Sequence, residues 1–464
     1  MPTITIDGQE LSFEQGQMII EVAREAEIDI PHFCWHPALS VSGNCRMCFV
    51  EIEGMPKLAI GCATPAADGQ VVHTTSEKAE SGRSAIMEFL LINHPLDCPI
   101  CDEAGQCKLQ DYAFQHGRGE SRFDEMKVRK EKRVPLGPQV LFDGERCISC
   151  SRCIRFADEV AEQPVLSFVN RGDHVSIETA PGAEFGSPYS MNVIDICPVG
   201  ALTSVDFRFR ARVWDMSFNP SICTGCARGC NVDVGVRDNE ILRLEPRTNM
   251  KVNDYWMCDP GRLETYPAVN DERYDGPEIL RGDAQIAVSW DEAVTETISK
   301  LREIKTNRLA FVASPHATLE ENHAFARFVR EVVGAKDLRG YRVDDAGFAD
   351  EKLRVADRSP NSKGLALLGI EVDGSLDDLR RDLDEKRIDG IVSIDDRLGN
   401  GDAAFEELLE NLDLLIVAAS NRTSIARAAD VVLARSSWAE QEGTYVNVAG
   451  MVQHVEATVT TRVN

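Results

Sequence analysis

Fifteen cysteines carry the most evident chemistry of this 464-residue chain. All of them lie between Cys34 and Cys258, and residues 259–464 contain none. The start of the chain, MPTITIDGQE, shows neither a secretory signal nor a transit peptide. Without export to an oxidising compartment, closely spaced thiols indicate metal or redox chemistry rather than structural disulfides.

Twelve of the cysteines fall into three sets of four. The sets are numbered by their order in the chain, and the second set is described below. The first set is Cys34, Cys45, Cys48 and Cys62; the third set is Cys147, Cys150, Cys153 and Cys197; and the fourth set is Cys223, Cys226, Cys230 and Cys258. Structural zinc also takes four cysteines and is the alternative for each set. In the third and fourth sets a tight triplet with one distant ligand favours a [4Fe-4S] cluster, because zinc sites usually pair two CxxC units.

The remaining three cysteines form a second set that lacks a fourth thiolate. The stretch HPLDCPICDEAGQC contains Cys98, Cys101 and Cys107, with His94 four positions before the first. No other cysteine is left in the chain, and iron-sulfur clusters accept imidazole in place of thiolate. We therefore predict His94 as the fourth ligand of a [4Fe-4S] cluster. The other candidates are His116, Asp97, Asp102 and Glu103.

The spacing of the third set matches a two-cluster bacterial ferredoxin reduced to one cluster. Such ferredoxins use C-x2-C-x2-C-x3-C-P runs, in which the fourth cysteine serves the other cluster. The positions that would hold the other cluster are occupied by Ala157, Ser187, Ser190 and Val193. One [4Fe-4S] cluster is therefore predicted in this region.

Strands and a helix are predicted around the first set. TITIDGQELSF is typical of two strands joined at Asp7-Gly8, residues 18–27 have helical periodicity, and FVEIEG with KLAIGC predicts a second hairpin. This order resembles plant-type [2Fe-2S] ferredoxins, whose first cysteine gap has four residues where this chain has ten. Since a longer surface loop costs little closure entropy, one [2Fe-2S] cluster is still predicted.

A helix and a hairpin are predicted beside the second and fourth sets. Ser76 is expected to cap a helix through SEKAESGRSAIMEFLLIN, which Pro95 ends with His94 at its tip. VDVGVRDNEILRLEP predicts a hairpin that turns at Asp238-Asn239. The fourth set with this hairpin resembles the [4Fe-4S] domain that opens molybdopterin oxidoreductases.

The remainder of the chain alternates helical and strand-like segments. SWDEAVTETISKLREI, LAFVAS, LDLLIVAAS and ADVVLARSSWAEQEGTYVNVAGMVQ resemble segments of molybdopterin oxidoreductases and predict an α/β domain. This part is far shorter than the catalytic body of those enzymes and offers no cysteine to molybdenum. Related formate dehydrogenases carry a lysine after the fourth cluster, where this chain has Cys258-Asp259-Pro260-Gly261. We therefore expect a reduced domain that binds no molybdopterin.

Together the four sets resemble the large iron-sulfur subunits of respiratory complex I, the G-subunit family of NADH-quinone oxidoreductases, in a bacterial form with an additional fourth cluster. The resemblance implies that His94 is a ligand, and that the first three clusters carry electrons from flavin towards quinone while the fourth lies off that path. It implies one [2Fe-2S] cluster, three [4Fe-4S] clusters and a multidomain chain of α/β and α+β classes. The expected domains are a β-grasp ferredoxin (1–79), a helical His/Cys domain (80–138), a ferredoxin-like domain (139–215), a molybdopterin-type [4Fe-4S] domain (216–275) and the reduced α/β domain (276–464).

Composition and missing motifs restrict the partners. A formal net charge of -26 argues against nucleic acid, whose binding needs clustered cations. No apolar run reaches the roughly 18 residues of a membrane span, so membrane contact is expected only through partners, at the cytoplasmic face of a bacterial inner membrane. There is no G-x-G-x-x-G and no P-loop, so NAD and FMN are expected on a flavin-binding partner among the peripheral-arm subunits. No catalytic acid, base or nucleophile is predicted.

The sequence is compatible with two other functions. Its N-terminal modules are similar to those of the electron-transfer subunit in a NAD-linked hydrogenase or formate dehydrogenase, although the short, cysteine-free tail argues against both. It also has the cysteine content of a zinc-stabilised scaffold without redox function. Metal analysis separates the scaffold from the electron relay.

Overall fold

A five-stranded sheet and one helix surround the first cysteine set. The computed structural model describes residues 1–399 and 401–463, in two units, Met1–Asp215 and Met216–Asn464. The elements here are β1 (Thr3–Ile6), β2 (Gln9–Ser12), α1 (Ile19–Glu25), β3 (Phe49–Ile52), β4 (Ala59–Ile60) and β5 (Gln70–His73). The sheet order is β2-β1-β5-β3-β4, with β1 and β5 parallel. Asp7 and Gly8 form the predicted turn with φ of 47° and 84°, and both predicted hairpins are confirmed.

Four helices and a second group of strands belong to the rest of the first unit. The elements are α2 (Glu77–Ile92), α3 (Lys108–His116), β6 (Val134–Pro135), β7 (Val140–Phe142), α4 (Arg152–Glu159), β8 (Leu166–Val169), β9 (Ser176–Thr179), α5 (Asn192–Asp195) and β10 (Leu202–Ser204). As predicted, Ser76 caps α2, its hydroxyl accepting a hydrogen bond from the Ala79 N–H at 3.2 Å. The buried Arg83 then anchors α2 to β3 by donating to the Phe49 carbonyl at 2.8 Å. This contact holds the first half of the helix that leads to His94.

An antiparallel three-stranded sheet opens the second unit. Its elements are β11 (Ser217–Ile222), β12 (Asn231–Arg237) and β13 (Glu240–Pro246), followed by α6 (Asp259–Glu264) and α7 (Pro267–Asn270). Asp238 and Asn239 form the predicted turn between β12 and β13, both with positive φ. The cysteines of the fourth set lie at the ends of β11 and β12 and at the start of α6.

The rest of the second unit contains a seven-stranded sheet. Its elements are β14 (Glu278–Arg281), β15 (Ala284–Ala287), α8 (Trp290–Glu303), β16 (Leu309–Val312), α9 (Leu319–Arg327), β17 (Leu338–Arg339), α10 (Ser362–Leu367), α11 (Ser375–Asp384), β18 (Gly390–Ser393), α12 (Ala403–Glu410), β19 (Leu414–Ala419), α13 (Ser424–Ala428), β20 (Val431–Ala434), β21 (Gly443–Val446) and β22 (Val452–Val455). The sheet order is β15-β14-β20-β19-β18-β16-β17, parallel from β20 to β17. Apolar clusters cover both faces of the parallel strands, as continuous apolar strands predict. The mixed α/β and α+β class is therefore confirmed. A separate finding is that no helix in the described part of the chain is long and apolar enough to cross a membrane.

A buried ion pair fixes the end of β19 to the segment after β20. The Arg273 guanidinium binds the Glu440 carboxylate, and their side chains are only 2% and 1% exposed. Arg273 also donates to the Ser420 carbonyl at 2.8 Å, and Glu440 accepts from the Ser437 N–H at 2.6 Å. These hydrogen bonds satisfy groups that would otherwise be buried and charged without partners.

We expect Arg273→Met to reduce the opening free energy of this sheet by about 3–5 kcal/mol, because the Glu440 charge would remain buried and unpaired. Native-state hydrogen exchange of β19 and β20 measures this loss. The matched control is Arg427→Met, which breaks a pair with Glu272 whose side chains are 59% and 65% exposed. We expect Arg427→Met to reduce the opening free energy by less than about 1 kcal/mol. Equal reductions by the two variants would contradict the prediction.

Candidate iron-sulfur sites

The first set lies in the loop between α1 and β3 and in the turn after β4. Cys34, Cys48 and Cys62 are buried, and Cys45 is half-buried. The Cys34 backbone N–H donates to the Cys45 Sγ at 3.4 Å. Side-chain hydrogen bonds join Cys34 to Cys45 and Cys62, and Cys48 to Cys62, so all four predicted ligands meet. These hydrogen bonds lower the pKa of the Cys34 thiol and raise the pKa of the Cys45 and Cys62 thiols, because a thiolate at Cys34 accepts from its neighbours.

The second set is partly assembled. Cys98 is exposed and begins a short 3-10 turn, Cys101 is buried, and Cys107 precedes the first residue of α3. An electrostatic interaction joins Cys101 to Cys107, and the Cys101 N–H donates to the Cys98 carbonyl at 3.3 Å. Arg146 interacts electrostatically with both His94 and Cys101. The fold thus brings Cys101 and Cys107 within electrostatic range of each other, and His94 and Cys101 within electrostatic range of Arg146.

The two histidines considered as fourth ligand have different surroundings. His94 is half-buried, and within the described residues its ring has no hydrogen-bond partner. Burial, with a smaller effect of Lys127, lowers the pKa of His94 to about 4, so its imidazole is neutral at pH 7, as a metal ligand must be. His116 instead holds its Nδ1 2.8 Å from a carboxylate oxygen of Glu80. These contacts favour the prediction of His94 over His116.

The carboxylates near the second set also have partners. Asp97 lies 2.5 Å from the Lys132 ammonium and 3.1 Å from the Arg146 guanidinium. Asp102 accepts a hydrogen bond from the Phe209 N–H at 3.1 Å. The third candidate, Glu103, accepts a hydrogen bond from the Gln106 amide at 3.4 Å. Since all three carboxylates have partners in the protein, His94 stays the favoured ligand.

A glycine that the sequence does not single out lies against the second set. A Cβ atom on Gly200 would be 2.2 Å from the Cys101 Sγ and 2.9 Å from the Glu103 Cβ. In the same segment, the Pro198 carbonyl is 3.9 Å from the Cys107 Sγ. Gly200 is therefore required for the close approach of this segment to the Cys101 thiol. Its only sequence signal is its position three residues after Cys197.

The third set combines a tightly wound loop with two helices. Cys147 and Cys150 lie in the loop before α4, where Ser149 and Ser151 have φ of 53° and 64°. Cys153 is on the first turn of α4, and Cys197 follows α5. Electrostatic interactions connect Cys153 to Cys147 and Cys150, and Cys197 to Cys150 and Cys153. The four thiols are therefore brought together, and burial raises the pKa of Cys147 to about 11.

The positions matching a second ferredoxin cluster are packed inside the protein. Ala157 and Val193 are fully buried, and Ser190 and Ser187 are 1% and 8% exposed. Apolar and small polar packing thus occupies these positions. The single cluster in this region stays a prediction from the sequence.

The fourth set encloses a cavity. Cys223, Cys226, Cys230 and Cys258 are all buried and line a small cavity together with Phe348 and Leu353. The Cys223 N–H donates to the Cys230 carbonyl at 2.8 Å, which closes the loop between β11 and β12. Burial raises the pKa of the free Cys258 thiol to about 11, so a cationic iron centre would be needed to hold these ligands as thiolates.

Two glycines lie against the cysteines of the fourth set. The Gly225 N–H donates to the Cys223 Sγ at 3.4 Å, and the Gly261 N–H donates to the Cys258 Sγ at 3.3 Å. A Cβ atom on Gly261 would lie 3.0 Å from the Cys223 Sγ and 3.2 Å from the Cys258 Sγ. Backbone amides thus approach the sulfurs closely, and such hydrogen bonds stabilise the extra negative charge of a reduced cluster.

The donor sets fit iron-sulfur clusters in ligand type, and every cysteine except Cys98 is buried or half-buried. In the described residues, all fifteen cysteines are free thiols. No group of three or more His, Cys, Asp or Glu side chains among them is arranged to hold a single metal ion. The four sets are therefore identified by their spacing and by the contacts given above, and the individual ligand assignments stay predictions.

Five family models match the chain in the expected order. They are a 2Fe-2S iron-sulfur cluster binding domain (1–77), the NADH-ubiquinone oxidoreductase-G iron-sulfur binding region (83–122), the ferredoxin-like domain of NADH-quinone oxidoreductase subunit 3 (137–203), the molybdopterin oxidoreductase Fe4S4 domain (216–263) and molybdopterin oxidoreductase (399–464). The matches support 2Fe-2S and 4Fe-4S binding in this chain.

Curated relatives connect these modules to one kind of protein. The NADH-quinone oxidoreductase G subunit of Rickettsia bellii is 39% identical over 371 residues, which are 80% of this chain and 53% of the relative. The chain belongs to the NADH-quinone oxidoreductase G-subunit family. The G subunit of Streptomyces coelicolor is also 39% identical, over 75% of this chain and 42% of the relative. The chain spans about half the length of the curated G-subunit relatives it matches.

A solved structure is also similar to part of this G-subunit family member. It is a NAD+-reducing [NiFe]-hydrogenase in the H2-reduced state, 32% identical, covering 46% of this chain and 91% of that chain with a TM-score of 0.41.

Proposed function

We propose that this chain is the electron-relay iron-sulfur subunit of NADH-quinone oxidoreductase. Its four sets would hold one [2Fe-2S] and three [4Fe-4S] clusters, with His94 as the non-cysteine ligand. The observation that carries the proposal is that all fifteen cysteines fall into four sets, in the order of the matching family models. The expected domains 1–79, 80–138, 139–215, 216–275 and 276–464 belong to this proposal.

The chain's own residues hold the clusters and set their electrostatic environment. Bound clusters would supply one-electron oxidation and reduction. Amide donors such as Gly225 and Gly261 direct positive dipoles at ligand sulfurs, and Arg146 provides a guanidinium beside the second set. Each of these groups favours the more negative, reduced state of its site. The relay itself needs no acid, base or nucleophile.

Apolar side chains around the second set support a protein partner there. Leu96 and Ile100 are 88% and 60% exposed on either side of the exposed Cys98. Large apolar side chains exposed beside a candidate redox site are typical of interaction surfaces. Within the proposal, peripheral-arm subunits are the partners, and a flavin subunit that binds NADH supplies the electrons. The complex would lie at the cytoplasmic face of a bacterial inner membrane, with membrane contact through partner subunits.

Metal analysis of the purified chain tests the proposal. Four filled sites predict about 14 irons per chain, matching acid-labile sulfide, and no stoichiometric zinc. EPR of the reduced protein should resolve one [2Fe-2S] signal and separate [4Fe-4S] signals. A colourless protein that contains zinc would reject the relay in favour of a scaffold.

The alternative is an electron-transfer subunit of a NAD-linked hydrogenase or formate dehydrogenase. Purification of the intact complex distinguishes the two. NADH-dependent quinone reduction by a membrane-bound assembly supports the proposal, whereas a complex that reduces NAD with hydrogen or formate would overturn it.

A further inference from the structure

The ten-residue loop between Cys34 and Cys45 of the first set contacts the segments that carry the third set, within the first unit. This loop, residues 35–44, departs from plant-type ferredoxin spacing. The Ser40 N–H donates to the Glu159 carboxylate at 2.8 Å, and the Asn44 amide donates to the Ser149 carbonyl at 3.0 Å. Ser149 lies between two ligands of the third set, and Glu159 ends the helix that carries Cys153. The additional residues thus join the first site to the third.

Two arginines of α4 strengthen this contact. Arg155 donates through its two terminal nitrogens to the carbonyls of Ser40 and Cys34, and its Nε donates to the Ser151 hydroxyl at 3.2 Å. One side chain therefore holds the start and the middle of the loop. Since the loop follows directly on a ligand of the first set, its position depends on α4.

Arg152 connects the two sites more directly. It is 5% exposed, and it donates to the Trp35 carbonyl and, at 2.9 Å, to the Ile196 carbonyl. Trp35 follows Cys34 of the first set, and Ile196 precedes Cys197 of the third. One guanidinium is therefore hydrogen-bonded to the backbone next to a ligand in each set.

The charge of Arg152 also faces both sets. Its electrostatic partners include the thiols of Cys150, Cys197 and Cys34. Within the described residues Arg152 forms no ion pair with a carboxylate, and its buried Nε has no hydrogen-bond partner. A buried cation is costly unless anionic groups compensate it, and thiolate-ligated clusters are anionic. The two cysteine sets supply the anionic groups among its strongest electrostatic partners.

We propose that Arg152 is a positioning residue shared by the first and third iron-sulfur sites, where it fixes their ligand loops to each other and compensates the charge of both clusters. This inference rests on the proposed function, because it requires clusters at both sites. Reduction adds one negative charge to a cluster, so a buried cation beside both ligand sets stabilises the reduced form of each. Loss of the Arg152 charge should therefore lower both reduction potentials together.

EPR-monitored redox titration of the full chain tests this role with Arg152→Gln. We expect the reduction potential of the first cluster and that of the third cluster each to fall by about 59 mV, which is a tenfold shift of the one-electron equilibrium towards the oxidised form. The second and fourth clusters should keep their wild-type potentials. Arg171→Gln, at an exposed arginine after β8, is the matched control and should change none of them.

Arg152→Lys separates charge from hydrogen bonding. Lysine keeps the positive charge but cannot span both carbonyls with a planar fork. We expect the one-electron reduction equilibrium of each cluster to stay within about twofold of its wild-type value, because the charge is kept. We also expect a weaker magnetic interaction between the two reduced clusters, measured as a loss of spin-relaxation enhancement. Should Arg152→Gln lose iron, this variant still decides the question.

Three results would overturn the inference. They are unchanged potentials in Arg152→Gln with both clusters present, a shift of only one of the two clusters in that variant, and unaltered spin relaxation in Arg152→Lys. Failure of the proposed function has a different signature, since wild-type protein would then lack the [2Fe-2S] and [4Fe-4S] signals.

Discussion

Replacing Gly200 with alanine is expected to remove the second cluster and to leave the other three in place. The added Cβ would lie 2.2 Å from the Cys101 Sγ, well inside the contact distance of carbon and sulfur. The nearby Glu103 Cβ, at 2.9 Å, leaves little room for the segment to withdraw. With its buried thiolate displaced, the site cannot complete its coordination. Iron analysis should show a loss of about four irons per chain, and one [4Fe-4S] EPR signal should vanish.

Gly186→Ala is the control for this substitution. A Cβ added to Gly186 meets no atom of the described residues within 4 Å, and the backbone there does not need a glycine. We expect wild-type iron content and all four signals. If Gly200→Ala also kept every signal, the close approach at Cys101 would have no part in holding the cluster.

Substitution of His94 has the second large expected effect. His94→Ala should lose the second cluster or convert it to a three-iron form, since no thiolate remains to replace the imidazole. His94→Cys should keep four irons but lower the reduction potential by about 60 mV or more, a tenfold change in the one-electron equilibrium, because a thiolate adds negative charge. Redox titration followed by EPR measures both results.

His116→Ala provides the matched control for the histidine. His116 is the other histidine near the set, and its Nδ1 lies 2.8 Å from the Glu80 carboxylate on α2. We expect this variant to keep the second cluster at its wild-type potential. A change in the EPR signal with His116→Ala, and none with either His94 variant, would transfer the ligand role to His116.

Local features of the fold were predictable because short sequences determine them. Asp7-Gly8 and Asp238-Asn239 adopt positive φ in tight turns, which these residue types favour, so both hairpins follow from a few positions. Ser76 caps α2 for the same local reason. The four cysteine sets were predictable because cluster ligands repeat at short spacings, and counting them left His94 as the favoured fourth ligand of the second set.

Contacts between distant segments were not predictable. Gly200 approaches Cys101 from a remote part of the sequence, and nothing in its neighbourhood distinguishes it from the other glycines of the chain. Arg152 and Arg155 look like ordinary cations on a short helix until the fold brings residues 35–44 against them. The sequence therefore indicated a longer first loop without indicating its partner. Such contacts depend on packing, which spacing alone does not encode.

The four residues from Cys197 to Gly200 have a consequence for biogenesis. Cys197 is a predicted ligand of the third cluster, while Pro198 and Gly200 contact Cys107 and Cys101 of the second. Iron inserted at the third site would immobilise this segment and so order the pocket that receives the next iron. Because such coupling is reciprocal, iron at the second site would ease the filling of the third in the same way, and the exposed Cys98 is the thiol of the second set most accessible to incoming iron.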